Sequence, residues 1–125
     1  MKNIVLPDTN ERCLAFYLAM EEFVAGQSEG DSFFVWRVSP TVIIGRNQDL
    51  EAEVNLGYCR EHGVKVVRRK SGGGCVYSDM GNIMISYVSR RGDVSEIFDR
   101  YLSALTACLR SLGLNAENPA ATTYL

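Results

Sequence analysis

The sequence has 125 residues, which fits one domain or less. Hydrophobic residues make up 46% of it and charged residues 22%, as in an ordinary globular protein. The net charge of −2 gives no reason to expect bulk affinity for nucleic acid or for an anionic membrane. No apolar run reaches the ~20 residues of a membrane-spanning helix, and the N-terminal residues lack a signal-peptide core, so we expect a cytoplasmic protein.

Hydrophobic periodicity predicts alternating helices and strands along the chain. The predicted helices cover about 10–25, 51–61 and 93–112. The predicted strands cover 32–38, 41–45, 64–69, 74–78 and 82–88. The first two strands flank Ser39-Pro40 and predict an antiparallel pair joined by a short turn. The last helix has the clearest pattern, with Asp93 and Glu96 as a capping box, and we expect it to cover a sheet.

Such short connections do not allow an all-parallel sheet, because parallel strands need crossovers of a dozen or more residues. The predicted fold class is therefore α+β, with a mixed, mainly antiparallel sheet and helices packed on it. We expect residues 1–125 to belong to a single domain as its N-terminal part, with a frayed tail at 118–125.

The most informative segment is 68–82, where two arginines and a lysine precede three consecutive glycines. Three glycines between strands cost backbone entropy and add no packing. Glycines are expected at such positions where the main chain takes positive φ or approaches a ligand closely. Successive N–H groups there can bind an anion, with the basic residues beside them. The alternative is a loose hairpin with solvated basic residues.

The four cysteines are widely spaced and accompanied by one histidine, so no metal site is expected. Cys13, Cys59 and Cys108 fall on helical segments and are interpreted as small buried residues. Cys75 follows the glycines directly and is either a packing residue or a nucleophile. We favour packing, because the sequence places no base near it.

The string Arg-Arg-x-Ser-Gly-Gly-Gly-x-Val-Tyr-x-Asp-x-Gly-Asn resembles the signature of the lipoate-protein ligase A family, within the biotin/lipoate ligase and octanoyltransferase group. The resemblance extends to Trp36-Arg37 and to the segment 41–48, and it covers nearly all of residues 1–118. It implies the fold shared by biotin ligases and class II aminoacyl-tRNA synthetases.

The resemblance also implies an activity, in which ATP activates lipoate to lipoyl-AMP and the lipoyl group passes to a lysine of a lipoyl-domain protein. The implied acceptors are lipoyl domains of 2-oxo acid dehydrogenase complexes or the glycine cleavage H protein. Mg²⁺ would arrive with ATP rather than bind a protein cage. The alternatives are an octanoyl or lipoyl transferase that uses a cysteine and no ATP, and a non-catalytic lipoate- or adenylate-binding remnant.

Motif position in the resembling family implies two groups of site residues. The implied ATP- or adenylate-binding residues are Arg69, Gly74, Cys75, Val76 and Tyr77. The implied lipoate-binding residues are Trp36, Ser71, Gly72 and Gly73. Further candidates are Arg46 and Asn82. Trp36 is alternatively a plain core aromatic, Arg46 a surface arginine, and Asn82, like Asp79, a turn-forming residue.

The resembling family carries its catalytic lysine in a motif beyond the position of Glu117, and this sequence has no lysine after Lys70. No catalytic residue is therefore assigned. We expect the N-terminal half of a catalytic domain, whether a truncated product, a fragment or one part of a split enzyme. Such a chain should be a poor ligase alone, and should associate with itself or with a complementing chain through unpaired edges.

Overall fold

The computed structural model describes residues 1–118. Its strands are β1 (Lys2–Asn3), β2 (Ser32–Trp36), β3 (Thr41–Ile44), β4 (Lys65–Arg68), β5 (Val76–Ser78) and β6 (Met84–Val88). Its helices are α1 (Leu14–Gln27), α2 (Leu50–Glu53), α3 (Leu56–Glu61) and α4 (Val94–Ser111). The predicted α+β class is confirmed. Within the described residues, no helix combines the length and the apolar character needed to cross a bilayer.

The chain divides into two compact units, Met1–Val88 and Ser89–Leu125. The first unit holds two three-stranded sheets, with strand orders β1-β2-β6 and β4-β3-β5. In each sheet the central strand has one parallel and one antiparallel neighbour. The sheets are mixed, as predicted, with parallel pairs as numerous as antiparallel ones. The expectation of a single domain over the whole chain stays a prediction.

The predicted pairing of the two strands around Ser39-Pro40 is wrong. β2 pairs with β6, with Trp36 opposite Met84, whereas β3 lies between β4 and β5 in the other sheet. The backbone explains the difference, since the carbonyl of Pro40 accepts the N–H of Lys65 at 2.9 Å and so leads the chain into the β3–β4 pair. A turn-forming sequence shows where a strand ends but does not determine which other strand it pairs with.

The first hydrophobic cluster lies between α1 and the strands β2 and β3. Its buried members are Leu14, Tyr17, Val24, Phe34, Trp36, Val38 and Ile43. α1 begins four residues later than predicted, because Asp8 accepts the backbone N–H of Asn10 and pairs with Arg12 at 2.9 Å, which forms a separate turn. The helix also has an exposed side, on which Phe23 is 67% exposed.

A second cluster covers the other sheet with the short helices α2 and α3. It contains the buried residues Ile44, Val54 and Cys59. Cys59 is therefore the packing residue that the sequence predicts. Cys13 and Cys108 are exposed, which contradicts that interpretation for them. Asp49 and Asn55 cap the two helices with their side-chain oxygens, and these caps fix the path that follows β3.

The second unit contains α4, whose predicted bounds and caps are confirmed. Asp93 and Glu96 form the capping box, and Gly113 ends the helix with a φ of +81°. The apolar stripe is half-buried at Ile97, Tyr101, Leu102, Leu105 and Leu109, and no residue of the helix is fully buried. Most of the predicted frayed tail, 119–125, lies outside the described residues, and Asn118 has no regular secondary structure.

Candidate functional site

The loop with the three glycines carries the chain from β4 to β5 across the end of β3. β3 is parallel to β4 and antiparallel to β5, and it lies between them. The chain therefore passes over the carboxyl end of β3, where the N–H of Arg46 donates to the carbonyl of Ser71 at 3.0 Å. The glycines are thus a crossing connection, and the hairpin interpretation is wrong for this loop.

Two glycines make this crossing sterically feasible. A Cβ on Gly45 would stand 2.0 Å from the carbonyl oxygen of Gly73, so the backbones touch only because residue 45 has no side chain. Gly73 itself has a φ of +98°, and a Cβ there would lie 2.7 Å from Nη2 of Arg69. A Cβ on Gly72 or Gly74 would meet nothing within 4 Å.

The guanidinium of Arg69 folds back against the glycine loop. Its Nε donates to the carbonyl of Gly72 at 3.1 Å, and its Nη2 donates to the carbonyls of Gly72 and Gly74 at 2.8 Å each. A weaker bond runs from Nη1 to the carbonyl of Ile43 at 3.4 Å. Arg69 therefore shapes the loop, and phosphate binding by this residue stays a prediction.

Arg68, the last residue of β4, has a similar structural role, because it binds the turn that follows β3. Its Nη1 donates to the carbonyls of Gly45, Arg46 and Gln48 at 2.9, 3.2 and 2.7 Å. The side-chain Oε1 of Gln48 in turn accepts the N–H of Gly45 at 2.9 Å. This turn was not predicted from the sequence, although a glycine at the end of the buried strand β3 is a signal of close backbone approach.

The glycine loop leaves backbone donors available. Within residues 1–118, the N–H groups of residues 71–74 have no acceptor in hydrogen-bonding range. A trans peptide points its N–H opposite to its C=O, so the N–H groups of Gly73 and Cys75 point away from Arg69. Such outward N–H groups are suited to an anionic ligand.

A depression of about 410 Å³ beside the loop is lined by four cationic residues, Arg46, Arg68, Arg69 and Lys70. Arg46 is exposed, and its guanidinium has no hydrogen-bond or ion-pair partner in the part of the chain that the structure describes. Among the residues that the structure describes, no carboxylate lines this basic pocket. Positive charge so concentrated favours phosphate or carboxylate.

An apolar groove of about 420 Å³ lies between α1 and β4 and shares residues 68–70 with the basic pocket. Its other lining residues are Ala15, Leu18, Ala19, Glu21, Glu22, Val67 and Ser71. Lys70 stands where the two cavities meet, and its Nζ pairs with Glu22 at 2.8 Å. Of the residues implied for lipoate, Ser71 lines this groove.

Trp36 is a buried core residue, stacked on Tyr17 with ring centroids 4.7 Å apart. Its Nε1 donates to Oγ of Ser86 at 2.8 Å, and Ser86 donates to Glu21. Glu21 lines the apolar groove, so a hydrogen-bonded chain that the sequence analysis missed links the indole to that groove. A direct contact of Trp36 with lipoate stays a prediction.

The run implied for adenylate leads from the loop into β5. Val76 and Tyr77 are 47% and 52% exposed, and Cys75 is half-buried against the second cluster. Partial desolvation, reinforced by the neighbouring Asp79 carboxylate, raises the pKa of the Tyr77 phenol above its usual value. The site therefore offers an apolar and aromatic strand surface next to the glycine loop.

Asn82 and Asp79 close the turn after β5. The side chain of Asn82 accepts the N–H of Asp79 at 3.0 Å, and the side chain of Asp79 accepts the N–H of Gly81 at 2.8 Å. These bonds agree with the turn-forming interpretation of both residues. Any contact of Asn82 with a ligand stays a prediction. Among the described residues, no three histidine, cysteine or acidic side chains are grouped to hold a metal ion.

Comparison with known proteins identifies a family for most of the chain. Residues 14–122 match the model of the lipoyl protein ligase A/B catalytic domain. The chain is 40% identical over 103 residues to lipoate–protein ligase 1 of Staphylococcus aureus. This alignment covers 80% of this chain and 31% of that protein. It is also 42% identical over 85 residues to the mitochondrial lipoyl amidotransferase LIPT1 of Homo sapiens, or 66% of this chain and 23% of that protein.

Solved structures show the same fold. A lipoate-protein ligase A bound with ATP superposes with a TM-score of 0.78 at 28% identity, covering 99% of this chain and 53% of that chain. A structure from an archaeal lipoylation system, a bi-partite lipoate protein ligase and its E2 lipoyl domain from Thermoplasma acidophilum, gives a TM-score of 0.80 at 31% identity. That match covers 95% of this chain and 48% of that chain. The chain thus spans between about a quarter and about a half of the relatives it matches.

Proposed function

Because the chain belongs to the lipoyl protein ligase A/B catalytic-domain family, we propose that it takes part in the ATP-dependent attachment of lipoate to lipoyl-domain proteins. The observation that carries this proposal is the junction of the apolar groove with the basic pocket at residues 68–70. A medium-length acyl chain suits the groove, and the phosphate of an acyl-adenylate suits the pocket.

In the proposed first step, a carboxylate oxygen of lipoate attacks the α-phosphate of ATP, and pyrophosphate leaves. Negative charge gathers on the phosphoryl oxygens, so fixed positive groups and backbone N–H donors are the useful protein groups. Arg46 and the outward N–H groups of the glycine loop are available for that purpose. Arg69 holds the loop in shape and has one Nη1 N–H left, since its other four donors bind carbonyls.

In the proposed second step, the ε-amine of an acceptor lysine attacks the acyl carbonyl, AMP leaves and the amine loses a proton. The proposed acceptors are lipoyl domains of 2-oxo acid dehydrogenase complexes or the glycine cleavage H protein. The E2 lipoyl domain of the archaeal lipoylation system supports the first of these. We propose that Mg²⁺ arrives bound to ATP phosphates, and a cytoplasmic location stays a prediction.

A second candidate is transfer of a lipoyl group between carriers without ATP, as the similarity to LIPT1 suggests. A cysteine route would use Cys75, the cysteine next to the glycine loop. The one histidine, His62, is stacked on Tyr58 in the first unit and bonds to its carbonyl at 3.0 Å. No base for Cys75 is identified among the described residues, so the adenylate route is the better supported one.

Binding of a stable lipoyl-adenylate analogue tests the proposed site. By isothermal titration calorimetry we expect the 125-residue protein to bind the analogue, and Arg46→Ala to weaken binding about tenfold through loss of a charged contact. Arg60→Ala removes the same charge from α3, outside both cavities, and should bind like the wild type. Equal losses in both variants, or no binding at all, would contradict the site.

Pyrophosphate release with ATP and lipoate separates the candidate activities. We predict none from the 125 residues alone, because they correspond to about half of the solved ligase structures that they match. Lipoate-dependent release would refute that prediction and support a ligase directly. A trapped thioester on Cys75 without ATP would favour the transferase, and analogue binding without either reaction would indicate the non-catalytic alternative.

A further inference from the structure

Lys70 differs from the other cations at the junction of the two cavities. Arg68 and Arg69 line both cavities as well, but their guanidinium groups are bonded to backbone carbonyls. Within residues 1–118, the ammonium group of Lys70 contacts only the carboxylate of Glu22, across the mouth of the apolar groove. Among these three cations, Lys70 is therefore the one that can exchange its protein partner for a ligand without breaking hydrogen bonds to the backbone.

The ion pair between Lys70 and Glu22 is easily exchanged. Their side chains are 85% and 60% exposed, and exposed pairs stabilise proteins very little. A ligand carboxylate that reaches the same place, with its apolar chain in the groove, would compete with Glu22 on nearly equal terms. Glu22 also lines the groove, so its negative charge opposes an incoming anion.

We infer that Lys70 binds the carboxylate of the acyl substrate and that Glu22 competes with this substrate for the same ammonium group. This inference deepens the proposed function and rests on it. The apolar side of the groove, formed by Ala15, Leu18, Ala19 and Val67, holds the acyl chain. Lys70 then orients the acid end toward Arg46 and the phosphate side of the junction. Lys70 makes the protein selective for acids over their neutral derivatives, and Glu22 weakens that selectivity.

The test compares an acid with its neutral amide. Dissociation constants for lipoate and lipoamide are measured by isothermal titration calorimetry at low salt. We expect the wild-type protein to prefer lipoate, and Lys70→Leu to lower the affinity for lipoate about two- to fivefold without changing that for lipoamide. We expect Glu22→Gln to raise the affinity for lipoate by a similar factor, because the competitor of the substrate is gone.

Lys65→Leu is the matched control, since it removes an exposed lysine of β4 that lies outside both cavities and bonds to Ser39. It should keep the wild-type preference for the acid. An unchanged preference in Lys70→Leu, or an equal loss in Lys65→Leu, would overturn the inference and leave the proposed function standing. Failure of the wild-type protein to bind either compound would overturn both.

Discussion

The contact between Gly45 and Gly73 shows how a single missing side chain permits the glycine crossing. A methyl group on residue 45 overlaps the carbonyl oxygen of Gly73, and that oxygen belongs to backbone that Arg69 holds on both sides. Gly45→Ala should therefore destabilise the protein by about 1–3 kcal/mol, the usual cost of overpacking. The midpoint of urea unfolding measures this change.

Gly72→Ala is the matched control for that prediction, because a Cβ there meets nothing within 4 Å. Its unfolding midpoint should stay close to that of the wild-type protein. If Gly45→Ala unfolds at the same urea concentration as Gly72→Ala, the two backbones do not touch as the structure shows.

Arg69 is the second residue whose geometry makes a definite prediction. Arg69→Lys keeps the charge but loses the planar fork that reaches several carbonyls, so the loop loses at least two hydrogen bonds. We expect a loss of about 1–2 kcal/mol of unfolding free energy. Arg46→Lys, at an exposed arginine without a partner in residues 1–118, should leave the unfolding free energy unchanged.

The sequence predicts which residues form the glycine loop better than it predicts which atoms each of them contacts. Arg69 and the three glycines stand out because of their spacing, and the structure brings them together in one loop. The sequence does not predict that Arg68 binds three carbonyls after β3. Its partners are backbone atoms that lie twenty or more residues away in the sequence. Their position depends on the β3–β4 register, which a local pattern does not reveal.

At the scale of secondary structure, α4 shows that local signals predict local structure well. Asp93→Ala removes an N-cap oxygen that accepts the N–H of Glu96 at 2.9 Å, and it should cost about 1 kcal/mol of helix stability. Asp93→Asn retains a capping oxygen and should cost little. Amide hydrogen exchange in the first turn of α4 measures both changes. Equal protection in the alanine variant would mean that the capping box contributes nothing.

Strand pairing shows the opposite case. The sequence predicts most strands within a few residues of their observed bounds, yet the expected β2–β3 pair and the alternative of a hairpin between β4 and β5 are both wrong. Both errors have the same physical cause. Short connections favour hairpins locally, whereas the observed partners of β2 are settled by core contacts such as Trp36 with Ser86, fifty residues apart in the sequence.

At the scale of the whole molecule, β5 combines an edge position in its sheet with exposed apolar side chains. Within residues 1–118, β5 pairs with β3 alone, and its side chains Val76 and Tyr77 are about half exposed. An apolar strand with a free edge favours association with another chain. We therefore predict concentration-dependent self-association of the 125-residue protein in sedimentation velocity experiments.

Val76→Lys places a charge on that edge and should shift the protein toward monomer at a given concentration, because charged edges resist strand addition. Val5→Lys adds the same charge at a valine that is 76% exposed and outside any strand, so it controls for the gain in net charge. A similar shift toward monomer in both variants would indicate that association depends on general surface hydrophobicity. A shift confined to Val76→Lys would locate it at the edge next to the glycine loop, where a second chain would also approach the proposed adenylate surface.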